Sequence, residues 1–317
     1  MVKVLVLGAT GNQGGSTISA LQASGQKHEI RALVRDASSE KAKALAAQGV
    51  EIFQGGDWDK DVASMEKAVA GMEVVFFISA FNLNDTEAEV RGATNIVEAA
   101  KRSGTVNHVI YSTVGGIEYW KDLPNLDSMP FFVNYWSAKA RGEELVREAG
   151  FKHYTLLRPT EFMSNYTTGR MANFQHPDLV KEGVWHTAFP EDHVLSMISP
   201  EDIGRTAAAA IENPETFAGG PTRELHLAGE LLTVKDTIRH LSEVTGKKLS
   251  VYTFKKEEEA DAIKKNIVIA GQISRRDWKA PAQPANDYGL GFSTFREWLE
   301  KNKDELRELY KNVAQPA

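Results

Sequence analysis

The chain has 317 residues, a formal charge of −6 and no cysteine. This length exceeds one ordinary core, so we expect a large α/β domain with an added lobe. A sequence without cysteine excludes disulfides, thiolate catalysis and cysteine-ligated metals. The acidic balance, with no recurring basic stripe, argues against nucleic acid as a partner. The first strand is preceded by neither a charged leader nor a long apolar stretch, so we expect a cytoplasmic protein with no membrane partner.

The first sixteen residues have the pattern of a dinucleotide-binding turn. An apolar run, Lys3–Leu7, is followed by Gly8, Gly11 and Gly14 and then by a helix-forming segment. In such a turn the first glycine permits the bend, the second lets the backbone approach a pyrophosphate, and the third lets the helix pack on the sheet. The phosphates would bind at the positive end of the helix. The predicted cofactor contacts in this turn are Gly8, Thr10, Gly11, Asn12, Gln13 and Gly14.

Strands and helices then alternate along the chain. Apolar runs predict strands at residues 3–7, 29–34, 50–53, 74–78, 108–112 and 154–157. Helices are predicted between them at 17–23, 39–48, 62–70, 87–102 and 138–149. Strands that are apolar throughout and separated by helices indicate a parallel sheet covered on both faces. The expected fold class is therefore α/β, a doubly wound, Rossmann-type parallel sheet.

The end of the second strand distinguishes the two nicotinamide dinucleotides. An acidic residue there binds a ribose 2′-hydroxyl, whereas an arginine accommodates a 2′-phosphate. Here Arg35 is followed by Asp36. The planar guanidinium suits phosphate, and Asp36 is placed to cap the following loop. We expect NADP(H) as the cofactor; the alternative is that Arg35 is a solvated loop residue.

The pattern loosens after residue 158, where aromatic, polar and glycine residues replace long periodic segments. Later elements are predicted at 200–212, 224–227, 233–245 and 295–310. We expect an NADP-binding Rossmann domain over residues 1–158. Residues 159–317 would form mainly a smaller C-terminal α/β substrate lobe, with some elements returning to the Rossmann core.

A candidate catalytic set follows the fifth predicted strand. Tyr135 and Lys139 fit Y-x-x-x-K, and residues four apart lie on one face of a helix. The lysine cation favours the phenolate form of a nearby tyrosine. Ser112 or Thr113, at the preceding strand end, would polarise a substrate carbonyl. The alternative is that Tyr135 packs in the pocket and only Lys139 contacts the cofactor.

Aromatic residues on both sides of this set predict a pocket for a flat or hydrophobic small-molecule substrate. Each of them has ordinary packing as its alternative. The eight histidines show no metal-ligand spacing, so no metal is expected. The predicted pocket residues are Phe131, Phe132, Phe162, Tyr166, Trp185 and His186.

Four segments together resemble the NmrA-like family of atypical short-chain dehydrogenase/reductases, which is related to isoflavone-reductase-like enzymes. These segments are residues 8–16, 34–35, 54–57 and 157–162, and the resemblance extends over nearly the whole chain. It implies an NADP-binding Rossmann domain and a role for Lys139 at the nicotinamide ribose. Many NmrA-like sequences have histidine or another residue where Tyr135 stands. The resemblance implies further cofactor contacts at Asp57, Trp58, Ser79, Ala80 and Pro159.

The sequence therefore predicts an NADPH-dependent oxidoreductase that reduces a small carbonyl, quinone, imine or activated alkene. In the short-chain dehydrogenase mechanism Tyr135 would donate the proton, with assistance from Lys139 and Ser112, while the cofactor carries the hydride. The family resemblance also implies a second function, a non-catalytic NADP(H)-sensing regulator that binds a protein partner. An isomerase or lyase that uses a bound cofactor is a third alternative.

Overall fold

The computed structural model describes residues 1–78, 82, 85–124, 126, 129–217, 223–278 and 285–314. The chain forms two compact units. Unit 1 consists of Met1–Ile117, Asn134–Pro159 and Pro200–His226. Unit 2 consists of Glu118–Val133, Thr160–Ser199 and Leu227–Ala317.

The strands and helices follow one another in mixed order along the chain. The strands are β1 (Lys3–Leu7), β2 (Glu29–Val34), β3 (Glu51–Gln54), β4 (Val74–Ile78), β5 (His108–Ser112), β6 (His153–Pro159), β7 (Glu161–Phe162), β8 (Val184–Thr187), β9 (Val194–Ile198), β10 (Glu224–Leu227), β11 (Glu230–Thr233) and β12 (Ser250–Thr253). The helices are α1 (Asn12–Ala23), α2 (Glu40–Ala47), α3 (Val62–Val69), α4 (Ala88–Ser103), α5 (Pro130–Glu148), α6 (Gly169–Gln175), α7 (Pro177–Glu182), α8 (Pro200–Glu212), α9 (Pro214–Phe217), α10 (Val234–Thr245), α11 (Glu259–Lys265), α12 (Val268–Asp277), α13 (Phe295–Lys301) and α14 (Lys303–Leu309).

Unit 1 is built on a seven-stranded sheet with the strand order β10-β6-β5-β4-β1-β2-β3. All neighbouring pairs from β6 to β3 are parallel. This is the Rossmann order, and it confirms the predicted fold class. The strand order reverses between β1 and β4, and sheets of this kind bind ligands at the carboxyl ends of the strands beside that point. The glycine turn follows β1 at this edge.

The strands β1, β2, β4 and β5 match their predicted bounds residue for residue, whereas β3 lies one residue later than predicted and β6 is longer than predicted at both ends. Helix α5 differs, because it begins at Pro130 rather than at residue 138. Proline suits the first turn of a helix, since its φ is already helical and the missing N–H has no intrahelical acceptor there. Tyr135 therefore lies in the second turn of α5. The predicted C-terminal helix is also divided at Asn302 into α13 and α14.

Close backbone contacts fix the start of α1. Gly8 has a φ of +68°, which favours glycine, and its carbonyl oxygen would lie 2.4 Å from a Cβ atom on Gly14. A Cβ atom on Gly204, in α8, would lie 2.4 Å from the carbonyl carbon of Ser16. Glycine is therefore required where α1 meets the turn after β1 and where α8 packs on α1.

Unit 2 contains a three-stranded sheet in the order β11-β9-β7 and a two-stranded parallel sheet of β12 and β8. Its core is rich in aromatic residues, including Tyr166, Trp185, Phe295 and Tyr310. The Tyr310 hydroxyl donates a 2.9 Å hydrogen bond to the carbonyl oxygen of Tyr166. Across the described ranges of both units, no helix is long and apolar enough to cross a membrane.

We predict that Gly14→Ala lowers the free energy of unfolding by about 1–3 kcal/mol, because the new methyl group overpacks against the Gly8 carbonyl. Gly15→Ala is the matched control, since a Cβ atom there lies 3.3 Å from the Ala9 carbonyl oxygen and needs only a small shift. Alanine also has the higher helix propensity. Urea unfolding of both variants measures the difference. Equal losses would contradict the proposed close contact.

Candidate cofactor and active site

The glycine turn presents the positive end of α1. Gly11 is the N-cap residue of this helix, and its amide donates a 2.9 Å hydrogen bond to the Gly8 carbonyl oxygen. The first amides of a helix have no intrahelical acceptors, so this end suits an anion such as a pyrophosphate. Lys41, in the first turn of α2, donates from Nζ to the Thr10 carbonyl oxygen at 3.3 Å. The sequence reasoning missed Lys41, although its position shortly after Arg35 indicated a second cation near the predicted cofactor turn.

Trp58 also lies beside the turn. Its Cη2 atom is 3.9 Å from the position of a Cβ atom on Gly8, and its carbonyl oxygen accepts a 2.8 Å hydrogen bond from Asn95. Asp57, next to it, is exposed. Pro159 is buried at the end of β6, where its carbonyl oxygen accepts from the Gly115 amide at 2.8 Å. The predicted contacts Ser79 and Ala80 lie outside the described residues.

The two charged residues at the end of β2 play different parts. The Asp36 carboxylate accepts hydrogen bonds from the amide and the hydroxyl of Ser38, at 2.8 and 2.6 Å. These bonds lower the pKa of Asp36 below its usual value. Asp36 thus caps the loop that follows β2, as the sequence allowed, while Arg35 is exposed.

The hydroxyls at the end of β5 both donate to other side chains of unit 1. Ser112 Oγ donates to Gln13 Oε1 at 2.6 Å, and Thr113 Oγ1 donates to Glu143 Oε1 at 2.7 Å. A hydroxyl has a single proton to donate. The role predicted for Ser112, polarising a carbonyl, therefore requires its hydrogen bond to Gln13 to be exchanged for one to the substrate. The same bond joins the strand end to the predicted cofactor turn.

Tyr135 and Lys139 are brought together on α5. The Lys139 ammonium lies over the Tyr135 ring, 4.4 Å from its centroid, which is within cation–π range. Lys139 Nζ also lies 3.1 Å from Glu89 Oε1, and both side chains are at most 5% exposed. Burial raises the pKa of Glu89, although the charge and the hydrogen bond of Lys139 act in the opposite direction. Sequence reasoning missed Glu89, because the pair joins residues fifty positions apart.

A second buried charge cluster lies one turn further along α5. Glu143 binds the Arg158 guanidinium through both carboxylate oxygens, at 3.0 and 2.7 Å. Arg147 and Arg158 both also bind Glu224. Burial raises the pKa of Glu224, but the hydrogen bond from Arg147 and the charges of the two arginines outweigh it, so this pKa is lowered overall. Because Glu143 also accepts from Thr113, this cluster joins the ends of β5 and β6 to α5 and β10.

The residues predicted to form a substrate pocket lie in unit 2 and differ in exposure. Tyr166 and Trp185 are 0% and 1% exposed and belong to its core. Their burial favours the packing alternative, so we leave them out of the proposed substrate contacts. Phe131, Phe132 and Phe162 are partly buried.

His186, the last of these residues, is partly buried and lines a cavity of about 610 Å³ within unit 2. Its Nδ1 atom is 2.9 Å from Asp178 Oδ2. The neighbouring His176 is neutral at pH 7, because burial lowers its pKa to about 4. Within the part of the chain that the structure describes, no three His, Asp or Glu side chains are grouped so as to hold a metal ion.

Comparison with known proteins identifies the class of fold and then the family. The structure is similar to that of the Citrobacter sp. triphenylmethane reductase complexed with NADP(H), with a TM-score of 0.71 and 22% identity, covering 95% of this chain and 100% of that one. It is also similar to NmrA, a negative transcriptional regulator, in complex with NADP, with a TM-score of 0.65 and 22% identity, covering 99% and 92%.

In sequence, quinone oxidoreductase 2 of Escherichia coli strain K12 is 26% identical over 262 residues, which is 82% of this chain and 81% of that protein. Residues 2–299 match the NmrA-like family. The chain belongs to the NmrA-like family, which confirms the resemblance found in its motifs.

We predict that Glu143→Gln destabilises the protein by about 1–3 kcal/mol, because it removes one of the two carboxylates that compensate the buried Arg158 guanidinium, the other being Glu224. Glu144→Gln is the matched control, since Glu144 is the next residue on α5 and is exposed. We expect that variant to differ from wild type by less than about 0.5 kcal/mol. Denaturant unfolding measures both changes, and a wild-type stability for Glu143→Gln would show that the cluster is not structural.

Proposed function

We propose that this protein is an NADPH-dependent oxidoreductase that reduces a small carbonyl, quinone, imine or activated alkene. The observation that carries the proposal is the contact between Tyr135 and Lys139 on α5, in the unit that also contains the glycine turn and the Rossmann sheet. A cation held against a tyrosine provides an acid and a charged group that favours its ionised form.

The residues of unit 1 fit the parts of NADPH. The amides at the start of α1 would bind the pyrophosphate, Arg35 the 2′-phosphate and Lys139 the nicotinamide ribose. Trp58, beside Gly8, would flank the adenine. When bound, NADPH supplies the hydride.

Within this proposal Tyr135 donates the proton to the oxygen or nitrogen that becomes negative as the substrate is reduced. Lys139 keeps a positive charge at the tyrosine ring and favours the phenolate that this step leaves. Ser112 Oγ assists once its proton is turned from Gln13 to the substrate. Recovery of the acid requires a proton from solvent after each turnover.

The proposed substrate class is flat and hydrophobic. Phe131, Phe132 and Phe162 supply partly exposed aromatic surface in unit 2, and such surface binds conjugated molecules. Two of the similar proteins are named for quinones and for triphenylmethane, which are conjugated molecules. These similarities support conjugated molecules as the class of substrate.

The second candidate function is an NADP(H)-sensing regulator that binds a protein partner without turnover. The likeness to NmrA supports it, as do the Ser112 and Thr113 hydroxyls, whose protons are donated within the protein. Oxidation of NADPH with a panel of quinones, aldehydes, enones and imines separates the two functions. Tight NADPH binding without oxidation by any member would favour the regulator.

We predict that Arg35→Ala weakens NADPH binding about 10- to 100-fold and leaves NADH binding nearly unchanged. The reason is that a charge-assisted hydrogen bond to the 2′-phosphate is lost, which costs about 1.5–3 kcal/mol. Calorimetric titration with both cofactors measures the two affinities. Arg170→Ala, which removes an exposed arginine from unit 2, controls for net charge. Equal losses for NADPH and NADH would show that Arg35 does not bind the phosphate.

For Tyr135→Phe we predict an unchanged NADPH affinity and a kcat lowered by about 10²- to 10⁴-fold, the usual contribution of a positioned acid. Steady-state kinetics with the best acceptor of the panel measures this loss. Tyr154→Phe, on β6 of the same unit, is the control and should keep wild-type kcat. A Tyr135→Phe enzyme as fast as wild type would exclude the tyrosine as proton donor.

A further inference from the structure

Two ion pairs connect the same two helices, α4 and α5, and they differ sharply in burial. Glu87 and Arg141 form one pair at 2.9 Å, with side chains 58% and 49% exposed. Glu89 and Lys139 form the other at 3.1 Å, with side chains only 2% and 5% exposed. An exposed pair contributes little, because water solvates both charges and screens them. Water cannot solvate the charges of the buried pair in this way.

Burial makes Lys139 depend on a partner of opposite charge. A desolvated ammonium tends to lose its proton, whereas a nearby carboxylate favours the charged form. Glu89 supplies that carboxylate from the first turn of α4, where the positive end of the helix favours an acidic residue. Glu89 is therefore the oppositely charged group that the buried lysine contacts inside unit 1.

The same pair determines where the ammonium lies. Lys139 has a long side chain with four rotatable bonds, so the position of Nζ depends on the contacts that it makes. Lys139 Nζ contacts Glu89 Oε1, and in the same position it lies 4.4 Å from the centre of the Tyr135 ring. Moving the carboxylate would move the cation relative to the tyrosine.

We propose that Glu89 is a positioning residue of this site: it holds the Lys139 ammonium against the Tyr135 ring, so that lysine and tyrosine act together on cofactor and substrate. This inference rests on the proposed function, because it gives Lys139 and Tyr135 the roles described there. In this proposal Glu89 acts on cofactor and substrate only through Lys139.

A double-mutant cycle tests this dependence. The variants are Glu89→Gln, Lys139→Met and the two combined, with Glu87→Gln as the matched control on the exposed pair. The dissociation constant of NADPH is measured by fluorescence titration, and kcat and KM are measured with the best acceptor. Thermal unfolding of each variant establishes that it is folded.

We expect Glu89→Gln to weaken NADPH binding about tenfold and to lower kcat, within the coupling that contacting residues show. In the Lys139→Met background the same substitution should change the affinity less than about twofold. Glu87→Gln should match wild type. Should Glu89→Gln not fold, Glu89→Asp keeps the charge, shortens the side chain by one methylene group and should still weaken NADPH binding severalfold.

An effect of Glu89→Gln that is the same in both backgrounds would overturn the inference, since it would mean that Glu89 acts independently of Lys139. Wild-type affinity in both Glu89→Gln and Glu89→Asp would overturn it as well. Failure of the proposed function has a different signature: the wild-type protein binds NADPH, but no acceptor of the panel leads to its oxidation. The affinity cycle then still decides the role of Glu89.

Discussion

Two buried side chains of opposite charge, Lys139 and Glu143, lie four residues apart on α5 and constrain the rest of unit 1. A buried charge needs a partner, because water no longer solvates it. Lys139 finds its partner in Glu89 of α4, and Glu143 finds its own in Arg158 of β6. Because these two side chains of α5 must face α4 and β6, the two pairs constrain the rotation of α5 about its axis. Tyr135, the candidate acid, lies on the same helix, so the ion pairs of Lys139 and Glu143 also constrain its position.

The fold of unit 1 was largely predictable because its information is local. Strands buried on both faces are short apolar runs, and their bounds can be found without knowing their neighbours. The sequence predicts the start of α5 too late, at residue 138, although Pro130 is typical of the first turn of a helix. The short strands β8 and β12 of unit 2 escaped prediction, because their residues form neither a continuous apolar run nor a strict alternation of apolar and polar residues.

The candidate site was predictable where a residue's role follows from its place in a motif. Gly8 and Gly14 belong to this class, and so does the pair of Tyr135 and Lys139 at helical spacing. Contacts made in tertiary structure were not predictable. Nothing in the sequence near Glu89 indicates that it pairs with Lys139, and nothing near Trp185 distinguishes a core residue from a pocket wall. Burial depends on what the rest of the chain brings to a residue, and composition does not reveal it.

The contact between α1 and α8 has a consequence for how this chain is made. Gly204 lies so close to Ser16 that no side chain fits between the two backbones. The helix that covers α1 is therefore encoded nearly two hundred positions later, and unit 1 is assembled from three separated stretches that end at His226. During synthesis one flank of α1 therefore stays uncovered until α8 emerges, after the unit 2 segments Glu118–Val133 and Thr160–Ser199. A fragment cut after β6 would keep that flank exposed permanently.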